Sequence, residues 1–248
     1  MYTNDAPFLF PRGSAPMRLP VHVTLLEAGE QLREEQEAFI AATFARAYGA
    51  RVVRFMPSLM GLRSEDGELL AALGLRHAAK EQLFLEHYLD APVEEVLATA
   101  LSGFGAEPTR EHLVEVGNLA ARGAGGTRWL IIALSAYLQG AGQQWVVFTA
   151  TPALRNSFRR LGLRLIHLGS APRERLPLAE QAHWGTYYDG GPEVVAVNVP
   201  HTFGVLERSL RLERALHALG AVWQGAYSVG AAHIAKHHRP QPVMEIGR

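Results

Sequence analysis

Apolar and polar positions change their period along this chain, and each change predicts an element. Residues 21–26 alternate and are rich in β-branched side chains, which predicts a strand. Over residues 30–48 the stripe Leu32, Ala38, Phe39, Ala42, Thr43 and Ala47 falls among charges at helical spacing, and Gly49 follows as a stop. Residues 55–63 and 69–77 read as two strands joined around Ser64-Glu-Asp-Gly67, whose Asp-Gly pair signals a hairpin. Residues 83–90 fit strand and loop equally. Asp90 is expected to cap a helix that carries Pro92, Glu94 and Glu95 in its first turn.

Residues 113–120 predict a strand, 121–127 a glycine-rich turn, and 128–138 an apolar helix that stops at Gly140-Ala-Gly142. The nearly uniform apolar run 145–150 predicts a strand buried on both faces. Pro152 opens a basic helix over 153–161, which Gly162 closes. Strands at 163–168 and 194–199 flank a long loop that contains Trp184-Gly-Thr-Tyr-Tyr-Asp189. Beyond Pro200 the pattern turns helical, over 203–219 and 222–237. The order is a mixed α/β plan. It divides into a flexible tail (1–20), a main domain (21–200) and a C-terminal helical extension (201–248).

Composition narrows the function classes. A chain of 248 residues that is 48% hydrophobic and 19% charged can bury one large core. Lys+Arg and Asp+Glu are equal at 24 each, so no overall field draws the protein to nucleic acid or anionic membrane. With no cysteine, a disulfide framework, a thiolate nucleophile and a thiolate zinc site are excluded. His233, His237 and His238 have i, i+4 spacing without an HExxH pattern or a third ligand, so no metal is expected. The start lacks the basic and apolar segments of a secretory signal. The longest nearly uninterrupted apolar run, 129–138, is about half of the ~20 residues that span a bilayer. A cytoplasmic protein without stable membrane insertion is expected.

The most informative stretch is the strand, turn and helix over 113–134. A glycine-rich turn that opens a helix aims free backbone N–H groups and the positive end of the helix dipole at one spot, where a phosphate can sit. The candidates are Arg122, Gly123, Ala124, Gly125, Gly126, Thr127 and Arg128; the plain alternative is an ordinary Gly-rich connection. Glu115 stands in a strand otherwise built of Val and Leu. It suits a general base, since burial raises a carboxyl towards the working range, or an edge carboxylate paired with an arginine. Asn118 would orient a nucleophile or bond a frayed strand end, and the backbone N–H near Leu119 is a candidate donor to a developing oxyanion. Carboxylate and turn are expected to open onto one cavity. Arg155, Arg159 and Arg160, with Arg122 and Arg128, form either a basic rim or a solvated face. Trp184, Tyr187, Tyr188 and Asp189 either close a pocket or belong to the core.

The element order, with this turn after the fourth strand, resembles the GNAT superfamily of acyl-coenzyme A-dependent N-acyltransferases. Several phrases more closely resemble the thermostable hemolysin family: Leu62-Arg63, Ala72-Leu-Gly-Leu-Arg76, Leu83-Phe-Leu-Glu-His-Tyr-Leu-Asp90, Val114-Glu-Val-Gly-Asn-Leu-Ala120, Phe148-Thr-Ala-Thr-Pro-Ala-Leu-Arg-Asn-Ser-Phe158 and Trp184 to Asp189. A fainter likeness, to acyl-homoserine lactone synthases, rests on the acidic residue Glu115. The resemblance implies a GNAT-like twisted mixed sheet flanked by helices. It also implies an acyltransferase that takes an acyl group from acyl-CoA or from the phosphopantetheine of an acyl carrier protein and passes it to a small-molecule amine. Within it, Glu115, Asn118 and Glu86 are the catalytic candidates. Leu119, residues 122–128, Asn156 and Phe158 are the donor-binding ones. The superfamily's proton-donating tyrosine falls on Phe158, which has no proton to give, and Thr127 departs from the superfamily's Gly/Ala. Two other readings stay open: a membrane-active protein, for which the C-terminal helices are the amphipathic contributors, and a non-catalytic acyl-CoA binder. The same helices would mediate homodimerisation or cover a sheet face.

Overall fold

The computed structural model describes residues 19–102, 107–123, 125–212 and 219–237. The expected tail lies almost wholly outside these residues, as do Ala124, His238 and residues 213–218 of the expected 203–219 helix. The alternating and apolar stretches form β1 (His22–Leu26), β2 (Ser58–Arg63), β3 (Leu69–His77), β4 (Leu113–Ala121), β5 (Trp145–Ala150), β6 (Ile166–Ser170) and β7 (Glu193–Asn198). They make one seven-stranded sheet in the order β1-β2-β3-β4-β5-β7-β6. Only β4 and β5 run parallel; every other neighbouring pair is antiparallel. A parallel pair requires a crossover, and α3 (Gly126–Gly140) supplies it.

The other helices are α1 (Arg33–Tyr48), α2 (Val93–Ala100), α4 (Pro152–Arg160), α5 (Leu178–Gln181), α6 (Val199–Leu212) and α7 (Gly220–His237). One face of the sheet is covered by α3, α6 and α7, through a core that includes Val114, Val116, Ile132, Val146, Leu206 and Val222. On the other face α1 packs over β2 to β4 through Phe39, Ile40 and Leu59. There α2 and the ring-rich loop around Tyr188 cover β5 and β7. Along β4, alternation sends Val114 and Val116 to the first face and Leu113 and Glu115 to the second. Helices α3 and α7 cross closely because both are glycine at the contact. A Cβ on Gly140 would lie 2.2 Å from the Tyr227 carbonyl oxygen, and one on Gly230 would lie 2.1 Å from that of Tyr137. Among the described residues no helix is long and apolar enough to cross a membrane.

Several boundaries differ from the sequence pattern for identifiable reasons. β2 starts at Ser58 rather than at 55, because buried Arg33 takes the carbonyls of Met56 (2.8 Å) and Pro57 (2.6 Å) out of any ladder. β6 starts at Ile166 rather than at 163, since the Leu163 N–H turns back to the Phe158 carbonyl and closes α4. Asp90 does not cap α2: the N-cap is Pro92, and the Asp90 carboxylate accepts from Arg175 at 2.7 Å. Residues 84–88, read as strand or loop, form a 3-10 turn.

Candidate functional site

β4 and β5 pair only from Leu113–Val116 to Trp145–Phe148, and beyond that point the strands part. On its other edge β4 carries a bulge. Gly74 faces Gly117 and Ala72 faces Ala120, so Asn118 and Leu119 together oppose Leu73. Asn118 takes the left-handed conformation there (φ 51°), and its side-chain oxygen accepts the Met56 N–H at 3.1 Å. Two hollows open at the gap. They share Phe44, Val116, Gly117, Asn118, Thr149 and Tyr187 as common wall.

The first hollow, of about 220 Å³, runs to the glycine turn and is lined by Leu119, Gly123, Thr127 and Phe158 among others. Gly125 (φ 94°) is the N-cap of α3, a conformation that favours glycine, and no side chain caps the helix. No acidic residue sits in the first turn to oppose an anion at this helix start. Gly126 allows the helix to start against β4, since a Cβ there would lie 2.7 Å from that of Ala121. Phe158 is buried and stacks on Phe148 with ring centroids 5.1 Å apart. The remaining donor-side candidates lie off the hollow. Arg122 is exposed, bonds Glu68 at 2.8 Å and covers the Phe39 ring. Arg128 is half-buried in the first turn of α3, and Asn156 is exposed on α4 outside the lining. Arg155 pairs with Glu193 instead of joining a basic rim.

The second hollow, of about 250 Å³, has Glu115 in its floor, so turn and carboxylate open onto adjoining hollows rather than onto the expected single one. Glu115 is 3% exposed; its two oxygens accept the N–H groups of Phe84 (2.8 Å) and Leu85 (2.9 Å). Arg76, directly across the β3–β4 ladder, stands 3.8 Å away. Burial pushes the Glu115 carboxyl up to about 7, against the opposing pull of the Phe84 N–H, the Arg76 charge and the Leu85 N–H. A carboxyl of that acidity can exchange a proton near neutral pH. The third catalytic candidate, Glu86, turns away from this hollow. It accepts from Leu83 N–H (2.8 Å), Val93 N–H (3.1 Å) and Arg110 (2.8 Å). Burial alone would raise its pKa, but Arg110 and the two N–H groups outweigh burial and hold the carboxyl below its ordinary range.

The pattern of the sequence alone did not single out several wall residues. Gly74 and Gly117 leave room for the Met56 side chain: a Cβ on either would lie 2.7 or 2.5 Å from its atoms. Met56 is fixed between Asn118 and Arg33. The loop with Trp184, Tyr187 and Tyr188 closes the opposite wall, with Trp184 5.4 Å from Tyr187 and 6.0 Å from Phe84. Gly185 lets that loop seat on α1: its φ is 49°, and a Cβ would lie 2.0 Å from the Tyr48 carbonyl oxygen. The Tyr88 and Tyr188 hydroxyls bond each other, and burial pushes both phenols up, so both keep their protons at neutral pH.

Comparisons with known proteins bear on the family and the fold. The family model described as thermostable hemolysin matches residues 26–203, which contain both hollows. No curated protein matches the chain. Among solved structures, the CoA-dependent acyl-homoserine lactone synthase BjaI, with SAM and isopentyl-CoA, is similar at TM-score 0.50 and 12% identity, over 81% of this chain and 98% of that one. A second CoA-dependent acyl-homoserine lactone synthase, MesI, gives TM-score 0.49 and 15% identity, over 79% and 98%. FeeM, an N-acyl amino acid synthase from uncultured soil microbes, gives 0.47 and 15%, over 74% and 94%. At such identities the likeness concerns the fold alone.

Proposed function

The chain belongs to the thermostable hemolysin family, and from its GNAT-like fold and paired hollows we propose that it is an N-acyltransferase. Acyl-CoA, or an acyl carrier protein's phosphopantetheine thioester, enters the hollow beneath the glycine turn. Its phosphates meet main-chain N–H groups of the glycine turn and the start of α3, between Gly123 and Arg128, where the helix dipole favours negative charge. The acceptor amine occupies the hollow floored by Glu115. An ammonium ion has no lone pair to give, so Glu115, directly or through a water, takes one proton from it. The free amine attacks the thioester carbonyl, and a main-chain N–H near Leu119 donates to the oxyanion. The C–N bond forms, the C–S bond breaks, and the thiolate takes up the second proton of the nitrogen. Phe158 cannot supply that proton; a thiolate is a sufficiently stable leaving group to depart without it.

One observation carries this reading. The two hollows meet at the gap between β4 and β5, around Gly117, Asn118 and Thr149, so two substrates can react there without either crossing the core. Most of the rate would come from proximity and oxyanion stabilisation. Asn118 acts by position, since its side chain is committed to holding Met56. The test is a panel of short- to long-chain acyl-CoA and acyl-carrier-protein thioesters with small amines, followed by thiol release and by mass spectrometry of the amide. Thiol release that depends on the amine is expected; a protein that neither binds nor consumes any thioester would overturn the proposal.

A further inference from the structure

The amine hollow carries charges that the transfer reaction alone does not call for. Arg33, Arg63, Arg110, Arg122 and Arg175 each hold an oxygen within 2.8 Å. Arg76 does not. Its side chain is one-fifth exposed in the wall of the hollow, and its nearest oxygens are those of Glu81 at 3.5 Å and Glu115 at 3.8 Å. It makes no hydrogen bond to a described residue, and its buried Nε meets the Glu81 carboxylate only as a long ion pair. A guanidinium offers five donors, and withdrawing them from water without an acceptor is costly. A ligand carboxylate is the acceptor that fits such a fork.

The neighbouring carboxylate sets the rest. Glu115 stands opposite Arg76 on the same face of adjacent strands, so the floor presents one positive and one negative group 3.8 Å apart. A bare alkylammonium drawn to Glu115 would arrive beside the Arg76 charge and be repelled. A molecule with both charges meets both partners. In an α-amino acid, N–Cα–C geometry holds the ammonium nitrogen and the carboxylate carbon about 2.5 Å apart, a span suited to this pair. Phe44, Phe55, Phe84, Trp184 and Tyr187 stand around the floor, and of the other charged residues in the wall Arg54 is neutralised by Glu180 at 2.9 Å and Arg51 is exposed. At about 250 Å³ the hollow is smaller than the roughly 300–1,000 Å³ sites that take drug-sized ligands.

We infer that the acceptor is an α-amino acid with an apolar or aromatic side chain, its carboxylate held by Arg76 and its amine presented to Glu115. The inference rests on the acyl-transfer reading of the site and narrows it to N-acyl amino acid formation. The amine nitrogen bonds to the acyl carbon, the thiol leaves, and one proton is released to solvent. Arg76 acts as a specificity residue that does not touch the thioester.

The experiment uses the full chain, an acyl-CoA donor, and two matched acceptor sets: apolar L-amino acids such as phenylalanine and leucine, and their decarboxylated amines. Thiol release gives kcat/KM for each, and calorimetry measures binding of the same compounds and of 3-phenylpropionate. An amino acid should exceed its amine at least tenfold in kcat/KM. Arg76→Gln should raise KM for the amino acid at least tenfold and leave that for the amine unraised or lowered, since the repelling charge is gone, and Arg76→Lys should recover part of the loss. Thermal melts establish that both variants fold, and the wild-type comparison needs no variant at all. Amines acylated as well as amino acids, or equal KM changes for both in Arg76→Gln, would overturn the inference and leave acyl transfer standing. Amino acids that bind in an Arg76-dependent way while no thioester is consumed would support Arg76 recognition and overturn the transfer reaction.

Discussion

Glu86 belongs to the 3-10 turn at 84–88 and Glu115 holds the first two N–H groups of that turn; each accepts two backbone N–H groups, yet their acidities move in opposite directions. Burial dominates at Glu115, and the second difference is the cation. Arg110 touches Glu86 at 2.8 Å and satisfies it, whereas Arg76 stops 3.8 Å short of Glu115. One carboxylate is therefore clamped below its ordinary range, and the other is raised at the floor of a hollow. Two acidic residues from neighbouring phrases of the sequence therefore divide into scaffold and candidate base. Neither residue type nor spacing decides which is which.

Breaking the pair from the Glu115 side should give the largest effect. Glu115→Gln keeps the shape but cannot take a proton, and kcat/KM for acyl transfer should fall roughly 10²–10⁴-fold, the usual worth of a positioned base. Steady-state thiol release measures this; an unchanged rate would assign Glu115 to scaffolding alone. On the donor side, Gly126→Val forces a side chain into the 2.7 Å approach to Ala121 and displaces the start of α3. KM for the thioester should rise about tenfold or more, with a smaller change for the acceptor. Equal changes for both substrates would place the phosphates elsewhere.

Glu86→Gln should act on stability instead. Loss of charge at a carboxylate bonded to Arg110 and two N–H groups should cost about 1–3 kcal/mol in chemical denaturation, with kcat/KM per folded molecule falling far less than in Glu115→Gln. The smallest and sharpest contrast lies in stability against pH. Glu115 has its folded pKa raised from 4.5 to about 7, so the stability it contributes is full below 4.5 and is lost as pH rises through 7. Glu86 has its folded pKa lowered from 4.5, so its contribution is present above 4.5 and is lost as pH falls. Melting curves should therefore flatten between pH 4.5 and 7 in Glu115→Gln, and on the acid side in Glu86→Gln. Curves that change in the same window would show that the two carboxyls do not differ as described.

The strands, the glycine turn and α3 were legible because their signals are local: alternation, apolar runs, and glycines where φ is positive. The fold followed from their order and from the resemblance those phrases carry. The site was legible only in part. Glu115 and Asn118 are in a strand the pattern predicts, but the parting of β4 from β5 after Val116 depends on pairing that no single segment records. The role of Glu86 is set by Arg110, twenty-four residues later in the chain, and the Met56 wall by Arg33 and two glycines on separate strands. Arg122 and Arg155 looked available to a phosphate until Glu68 and Glu193 were placed beside them. Residues 83–90 were ambiguous because a 3-10 turn anchored by a distant carboxylate has no periodicity of its own.

The central claim is that Glu115 is the proton acceptor of an acyl transfer at the meeting point of the two hollows. Its most direct test is the pH dependence of kcat/KM for amine-dependent thiol release, measured for the wild type and for Glu115→Gln. The account predicts a wild-type rate that rises with pH through about 7, the acidity of the buried carboxyl, and a variant that lacks this limb. A rising limb that persists unchanged without Glu115 would contradict it.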